Sequence, residues 1–167
     1  MEKIIHNKSE IAYFAGGCFW GVEYMMKKQE GVLSVESGYM GGNVDNPTYE
    51  QVCSKTTAHA EVVQIVFDSS IVSYEILAKL FFEIHDPTHL NHQGPDIGDQ
   101  YRSEIFYTNS EQKAIAEKLI NILISKGYDV VTKLSPYTIF WKAEDYHQNY
   151  YERKGTQPYC HAYVKRF

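Results

Sequence analysis

The sequence predicts an α+β fold built as a two-layer sandwich of helices on a sheet. Helical and strand patterns interleave along the chain, and the strands are spaced too irregularly for a doubly wound parallel sheet. A length of 167 residues with 44% hydrophobic content is enough for one substantial core and short for two. One domain is therefore expected over residues 1–167, with an irregular tail from about residue 154.

Taken in order, Ile11, Ala12, Tyr13 and Phe14 form a short apolar run halted by Gly16-Gly17 and read as a strand. Residues 19–30 carry Phe19, Val22, Met25 and Met26 at helical spacing. Cys18 is left on a strand-to-helix turn. Residues 32–37 and 60–67 read as strands, parted by a turn-rich loop at 41–47 that makes a candidate binding edge. Ser73 is placed to cap a helix whose apolar face is Ile76, Leu77, Leu80, Phe81 and Ile84. Ser110 is placed to cap another, with Ile115, Leu119, Ile122 and Leu123, closed by Gly127. Between these helices, residues 85–102 are rich in Pro, Gly, Asp and His, cannot build a core and are long for a connection. Such a segment is expected to serve function. Strands are then expected at 103–107, 130–134 and 138–141, with a short helix near 145–153.

The net charge of −5 arises from 21 acidic and 16 basic residues with no basic block to follow a phosphate backbone. Nucleic acid is not an expected partner. The first eight residues lack the apolar core of a signal peptide, and no apolar run approaches the ~20 residues of a membrane span. A soluble, cytoplasmic protein with no membrane partner is expected, and a monomer, since no long amphipathic surface is left over. Three cysteines are an odd number and far below the density of a disulfide scaffold. At least one thiol is therefore free or transiently paired, as suits a reducing compartment. Fourteen tyrosines, eight phenylalanines and two tryptophans supply material for aromatic pockets with hydroxyl tips.

A cysteine just before a helix sits where backbone N–H groups and the helix dipole favour the thiolate, and Gly16-Gly17 let other groups approach closely. The ordinary reading of a lone cysteine is a small buried hydrophobe. The glycine turn and the aromatics that follow favour the reactive reading here. A thiol of pKa ~8.5 is already a few per cent ionised at pH 7, so lowering its pKa gains at most ~30-fold, about 2 kcal/mol. Further barrier lowering must come from other groups.

Gly16-Gly17-Cys18-Phe19-Trp20-Gly21 resembles the signature of the peptide methionine sulfoxide reductase A family, and the likeness continues in the family's order. It runs through Ser37-Gly38-Tyr39-Met40-Gly41-Gly42, Pro47 to Cys53, His59-Ala60-Glu61, Gln93 to Ser103 and Ala143-Glu144-Asp145-Tyr146-His147-Gln148. The resemblance covers most of the chain from Tyr13 to Tyr159. It implies a ferredoxin-like core with irregular extensions and a thiol-dependent reduction of methionine S-sulfoxide, free or in proteins.

By that resemblance Cys18 attacks the sulfoxide sulfur, Glu61 protonates its oxygen, and Tyr39 and Tyr101 donate hydrogen bonds to it. Asp96 orients this polar cluster, and Phe19 and Trp20 form the pocket for the substrate methyl. A protonated Glu61 at pH 7 requires its pKa to rise from ~4.3 to about 7, ~3.7 kcal/mol of disfavoured charge, which only a dehydrated, apolar-walled site supplies. The plain alternatives are a solvated strand face for Glu61, satisfied core tyrosines and an Asp96 that merely makes a turn.

Attack leaves a sulfenic acid on Cys18, which a second thiol resolves as a disulfide. Cys160, on the tail Thr156-Gln157-Pro158-Tyr159-Cys160, stands near the family's recycling position, with Cys53 the second candidate. The tail departs from the common glycine-rich pattern, which puts its reach to Cys18 in question. Two milder departures are the lack of a glycine before His59 and a histidine, His92, where arginine is frequent. No bound cofactor or metal is expected; the resemblance implies an external thiol reductant, thioredoxin or another dithiol.

Three rivals follow from the same residues. A hydrolytic cysteine enzyme would pair Cys18 with His59 or His147. A zinc deaminase would use His59-Ala60-Glu61 as its H-x-E element, although Pro158-Tyr159-Cys160 supplies one cysteine where two are needed. A binding module would use the glycine loops only to present aromatics. No dinucleotide or Walker loop follows Gly41-Gly42.

Overall fold

A computed structural model describes residues 9–159 and 161–167. At its centre is a six-stranded mixed sheet of β1 (Ser9–Gly16), β2 (Val32–Met40), β3 (Ala60–Asp68), β6 (Ser103–Tyr107), β7 (Lys133–Pro136) and β8 (Trp141–Lys142). The spatial order is β7-β6-β1-β3-β2-β8. All neighbours run antiparallel except β6 and β7.

The period of two along each strand divides the sheet into two faces. Ala12 and Phe14 of β1, Val35 and Tyr39 of β2, and Val63, Ile65 and Phe67 of β3 share the main core with three helices. These are α1 (Phe19–Lys27), α3 (Tyr74–Ile84) and α4 (Ser110–Ser125). They contribute, among others, Phe19, Val22 and Met26; Leu77, Phe81 and Phe82; and Ala116, Leu119 and Leu123. On the other face Tyr13, Ala15, Met40, Ala60, Val62 and Phe106 form a smaller cluster capped by Phe140. One alternation decides the position of the acid candidate: Phe67, Ile65 and Val63 point to the helices, so Glu61 does too.

The helix starts follow from side-chain caps. Ser73 accepts from the N–H of Ile76, as expected. The second cap is Asn109 rather than Ser110: Asn109 has extended backbone, and its side-chain oxygen accepts from the N–H of Gln112 at 2.8 Å. Gly127, at φ +99, closes α4 as predicted. α1 stops at Lys27, three residues short of the expected end.

The last strands shift as well. β7 lies at Lys133–Pro136 because its parallel register on β6 pairs Glu104 with Lys133 and Tyr107 with Pro136. β8 is only Trp141–Lys142, paired with Tyr39 and Gly38. The single helix expected near 145–153 is a 3₁₀ turn, Asp145–His147, followed by α5 (Tyr150–Lys154). Gln148 breaks it by turning its amide to the N–H and C=O of Ser37, at 2.9 and 2.8 Å. Asn149 turns left-handed (φ +56) with its N–H on the buried carboxylate of Glu23.

The segment at 85–102 folds back on itself through the two-residue strands β4 (His92–Gln93) and β5 (Asp96–Ile97) and a 3₁₀ turn at Asp99–Tyr101. The short helix α2 (Tyr49–Cys53) is held by a reciprocal capping box between Thr48 and Gln51. No helix among the described residues is long and apolar enough to cross a membrane.

Candidate active site

Cys18 is the N-cap residue of α1 and is 7% exposed. Its carbonyl accepts from Gly21 and Val22, so its own backbone starts the helix while the following N–H groups stay available. One of these is used at once: the N–H of Phe19 donates to Glu61 Oε1 at 3.1 Å. Glu61 is 2% exposed. The solvated strand face is thereby excluded for this residue. Burial pushes the Glu61 pKa up to about 8, opposed by the Phe19 N–H and reinforced by the nearby Asp96. At pH 7 this carboxyl is mostly protonated.

Tyr39 is the direct cross-strand partner of Glu61, so their side chains leave the sheet on the same side. The Tyr39 hydroxyl donates to Glu144 Oε1 at 3.1 Å, and Glu144 Oε2 accepts the N–H of Tyr49 at 2.9 Å. Burial opposes ionisation of Glu144, yet these donors outweigh it and lower its pKa. The two glutamates thus sit on opposite sides of pH 7, one neutral and one ionised. Burial, followed by the fields of Glu61, Asp96, Cys18 and Cys53, raises the pKa of Tyr101. Tyr101 keeps its proton and remains a donor facing this cluster.

Asp96 accepts the Tyr159 hydroxyl on Oδ1 at 2.8 Å, while its Oδ2 is buried with no hydrogen-bond partner among the described residues. A carboxylate oxygen so placed is an acceptor waiting for a donor.

Phe19 is 1% exposed and stands 5.6 Å from the Tyr39 ring and 5.3 Å from the His147 ring, centre to centre. Trp20 is half-buried. Its indole Nε1–H donates to His147 Nδ1 at 2.9 Å, and its face stacks on Tyr150 at 3.7 Å. An acceptor at Nδ1 fixes the neutral tautomer with the proton on Nε2, in keeping with burial holding the His147 pKa down.

Structure therefore brings Cys18, Glu61, Tyr39, Tyr101, Asp96, Phe19 and Trp20 around one end of the sheet. Cys160 lies outside the described residues. Cys53, at the end of α2, is half-buried, and burial raises its thiol pKa, opposed by a hydrogen bond with Tyr49 and reinforced by the charges of Glu61 and Glu144. Neither histidine suits the hydrolytic rival. His59 Nδ1 accepts the N–H of Gly42, its Nε2 meets the carbonyl of Val44, and His147 serves Trp20. Those bonds make His59 the organiser of the loop at 41–46. Among the described residues no three His, Cys, Asp or Glu side chains are grouped to hold a metal ion.

Glu144, His147, Gln148 and Glu23 carry much of this architecture, and of these only His147 had a role from sequence, as a partner of Cys18 in the hydrolytic rival. The first three stand together in the Ala143–Gln148 motif, the available signal; Glu23 gives none, because a glutamate on an amphipathic helix reads as a surface residue.

A family model described as peptide methionine sulfoxide reductase matches residues 10–167. The "Peptide methionine sulfoxide reductase MsrA" of Saccharolobus solfataricus is 54% identical over 156 residues, 93% of this chain and 88% of the relative. The reduced form of Mxr1 from Saccharomyces cerevisiae superposes with a TM-score of 0.87 at 33% identity, covering 96% of this chain and 94% of that one. Mxr1 in complex with Trx2 matches in fold, with a TM-score of 0.62 at 23% identity over 94% and 91% of the two chains. With the family model spanning residues 10–167 and a relative 54% identical over 93% of the chain, this chain belongs to the peptide methionine sulfoxide reductase family.

Proposed function

We propose that this chain reduces methionine S-sulfoxide, free or within proteins, to methionine, and so repairs oxidised proteins. The observation that carries the reading is the buried Glu61 hydrogen-bonded to the amide next to Cys18, where burial raises its pKa. A sulfoxide oxygen needs a proton as it leaves sulfur, and a carboxyl with pKa near the working pH delivers one best.

In this reading the methyl group lies against Phe19 and Trp20, whose ring is fixed by His147. The sulfoxide oxygen takes a hydrogen bond from Tyr101, a second from Tyr39 once that hydroxyl turns from Glu144 to the substrate, and its proton from Glu61. Asp96 orients the cluster, its Oδ2 having no partner among the described residues. The Cys18 thiolate attacks sulfur, the oxygen, protonated by Glu61 and by solvent, leaves as water, and a water then attacks Cys18 Sγ, expelling methionine with both electrons of the S–S bond. Cys18 is oxidised to the sulfenic acid. Cys160 then attacks Cys18, forming an intramolecular disulfide and releasing water. An outside dithiol, thioredoxin by analogy with the Mxr1 complex with Trx2, returns both thiols by exchange. No bound cofactor takes part.

The order β6-β1-β3-β2, joined as β1-α1-β2-β3-α3-β6, supports a ferredoxin-like core. The low cysteine count supports a cytoplasmic enzyme, and we read the chain as one monomeric domain with an irregular tail after α5.

The test is a reaction of reduced protein with S-methionine sulfoxide and no added thiol. One equivalent of methionine is expected, with a Cys18–Cys160 disulfide found by peptide mapping. No methionine is expected from Cys18→Ser or from the R epimer. Turnover by Cys18→Ser would overturn the proposal.

A further inference from the structure

The side chains on either side of Cys160 in sequence are both fastened to the active site. Tyr159 donates to Asp96 at 2.8 Å. His161 is 6% exposed, and its Nε2 meets the carbonyl of Gly16 at 2.7 Å. A carbonyl only accepts, so Nε2 carries the proton.

The seat of this ring is shaped by glycines. A Cβ at Gly21 would lie 2.1 Å from His161 Nδ1, and one at Gly17 would lie 3.2 Å from Nε2. Gly17 precedes Cys18 and Gly21 lies one turn after it, so the imidazole rests on the backbone that presents the nucleophile. Past His161 the chain stays anchored: Val164 N–H donates to the carbonyl of Glu83, and Arg166 N–H to its carboxylate. The glycine-poor tail is thus held at Tyr159 and at His161 rather than left to swing.

From this geometry we propose that His161 is a positioning residue that docks the recycling tail on the Cys18 turn, with Tyr159 as the second fastening. The proposal rests on Cys160 being the resolving thiol. In that step the Cys160 thiolate attacks Cys18 Sγ, the S–S bond forms as the S–O bond breaks, and the hydroxide leaves as water. Docking raises the effective concentration of one thiol at the other without touching the reacting sulfoxide.

The test is single-turnover quenched flow without reductant, following methionine, dimedone-trapped sulfenic acid and disulfide in wild type, Cys160→Ser, His161→Ala and His161→Gln. His161→Ala should release methionine at the wild-type rate yet form disulfide about tenfold or more slowly, as expected from losing a buried hydrogen bond and its packing. His161→Gln, which keeps an N–H at similar reach, should recover most of the rate. Cys160→Ser should accumulate sulfenic acid. Wild-type disulfide formation in His161→Ala, with sulfenic acid trapped in Cys160→Ser, would overturn the docking role alone. Loss of the methionine burst in His161→Ala would also overturn it, since the ring would then serve Cys18 itself. Disulfide formation at the wild-type rate in Cys160→Ser would remove the recycling reading, and the docking role with it.

Discussion

The amide of Phe19 and the carboxyl of Glu61 meet at 3.1 Å, which ties the helix start carrying Cys18 to the end of the central strand β3. The turn that carries the proposed nucleophile and the proposed acid are thereby fixed to the same rigid framework. Strand parity places Glu61 on the covered face, and burial there keeps it protonated.

That burial has a consequence for stability. The folded-state pKa of Glu61 is raised to about 8 from 4.5, so its favourable contribution is complete below the unfolded value and is lost as pH rises through the folded one. Relative to Glu61→Gln, wild-type unfolding free energy should fall between about pH 4.5 and 8 by on the order of a few kcal/mol. Denaturant melts of both proteins across this range measure it. Parallel pH curves would show that Glu61 is not held neutral.

Trp20→Phe keeps an apolar wall but removes the donor to His147 Nδ1. A buried acceptor left alone costs about 1–3 kcal/mol, and the freed ring should also raise KM. Replacing both partners, Trp20→Phe with His147→Phe, should recover much of the stability, because neither orphaned atom remains. A double variant as unstable as the sum of the two single variants would show that the hydrogen bond is not the issue.

Gly21→Ala sets two magnitudes against each other. Alanine gains about 1 kcal/mol of helix propensity over glycine, while overpacking a filled site costs about 1–3 kcal/mol. With His161 Nδ1 only 2.1 Å from the new Cβ, the clash should win. The variant should melt earlier than wild type and form its disulfide slowly, as His161→Ala does. A more stable Gly21→Ala would mean that the ring yields freely.

Cys18 was legible in the sequence because it depends on a local pattern, the Gly-Gly turn before an amphipathic run. The other candidate roles, that of Glu61 included, came from the family resemblance; the residues alone left Glu61 on a solvated strand face, and it is the packing of Val63, Ile65 and Phe67 under the helices that turns it inward. Caps at Ser73 and closure at Gly127 obey side-chain and φ rules that act over a few residues. What escaped depends on contacts far apart in the chain. Gln148 breaks a helix-like stretch because Ser37, 111 positions away, offers its backbone. β7 and β8 are set by pairing with β6 and β2 rather than by their own composition. Glu23 looks like a surface glutamate until Asn149 and Ser37 close over it. The seat of His161 on Gly21 was equally invisible, since a glycine inside a helix gives no sign of what lies above it.

Glu61 is expected to supply the proton for a reduction carried out by Cys18. The most direct measurement is the single-turnover rate of methionine formation at pH 7 in wild type and Glu61→Gln, with Cys18 kept intact and reduced. Loss of a positioned general acid should slow this step by about 10²–10⁴-fold, with folding preserved because glutamine fills the same space. Methionine formation by Glu61→Gln at the wild-type rate would contradict the account.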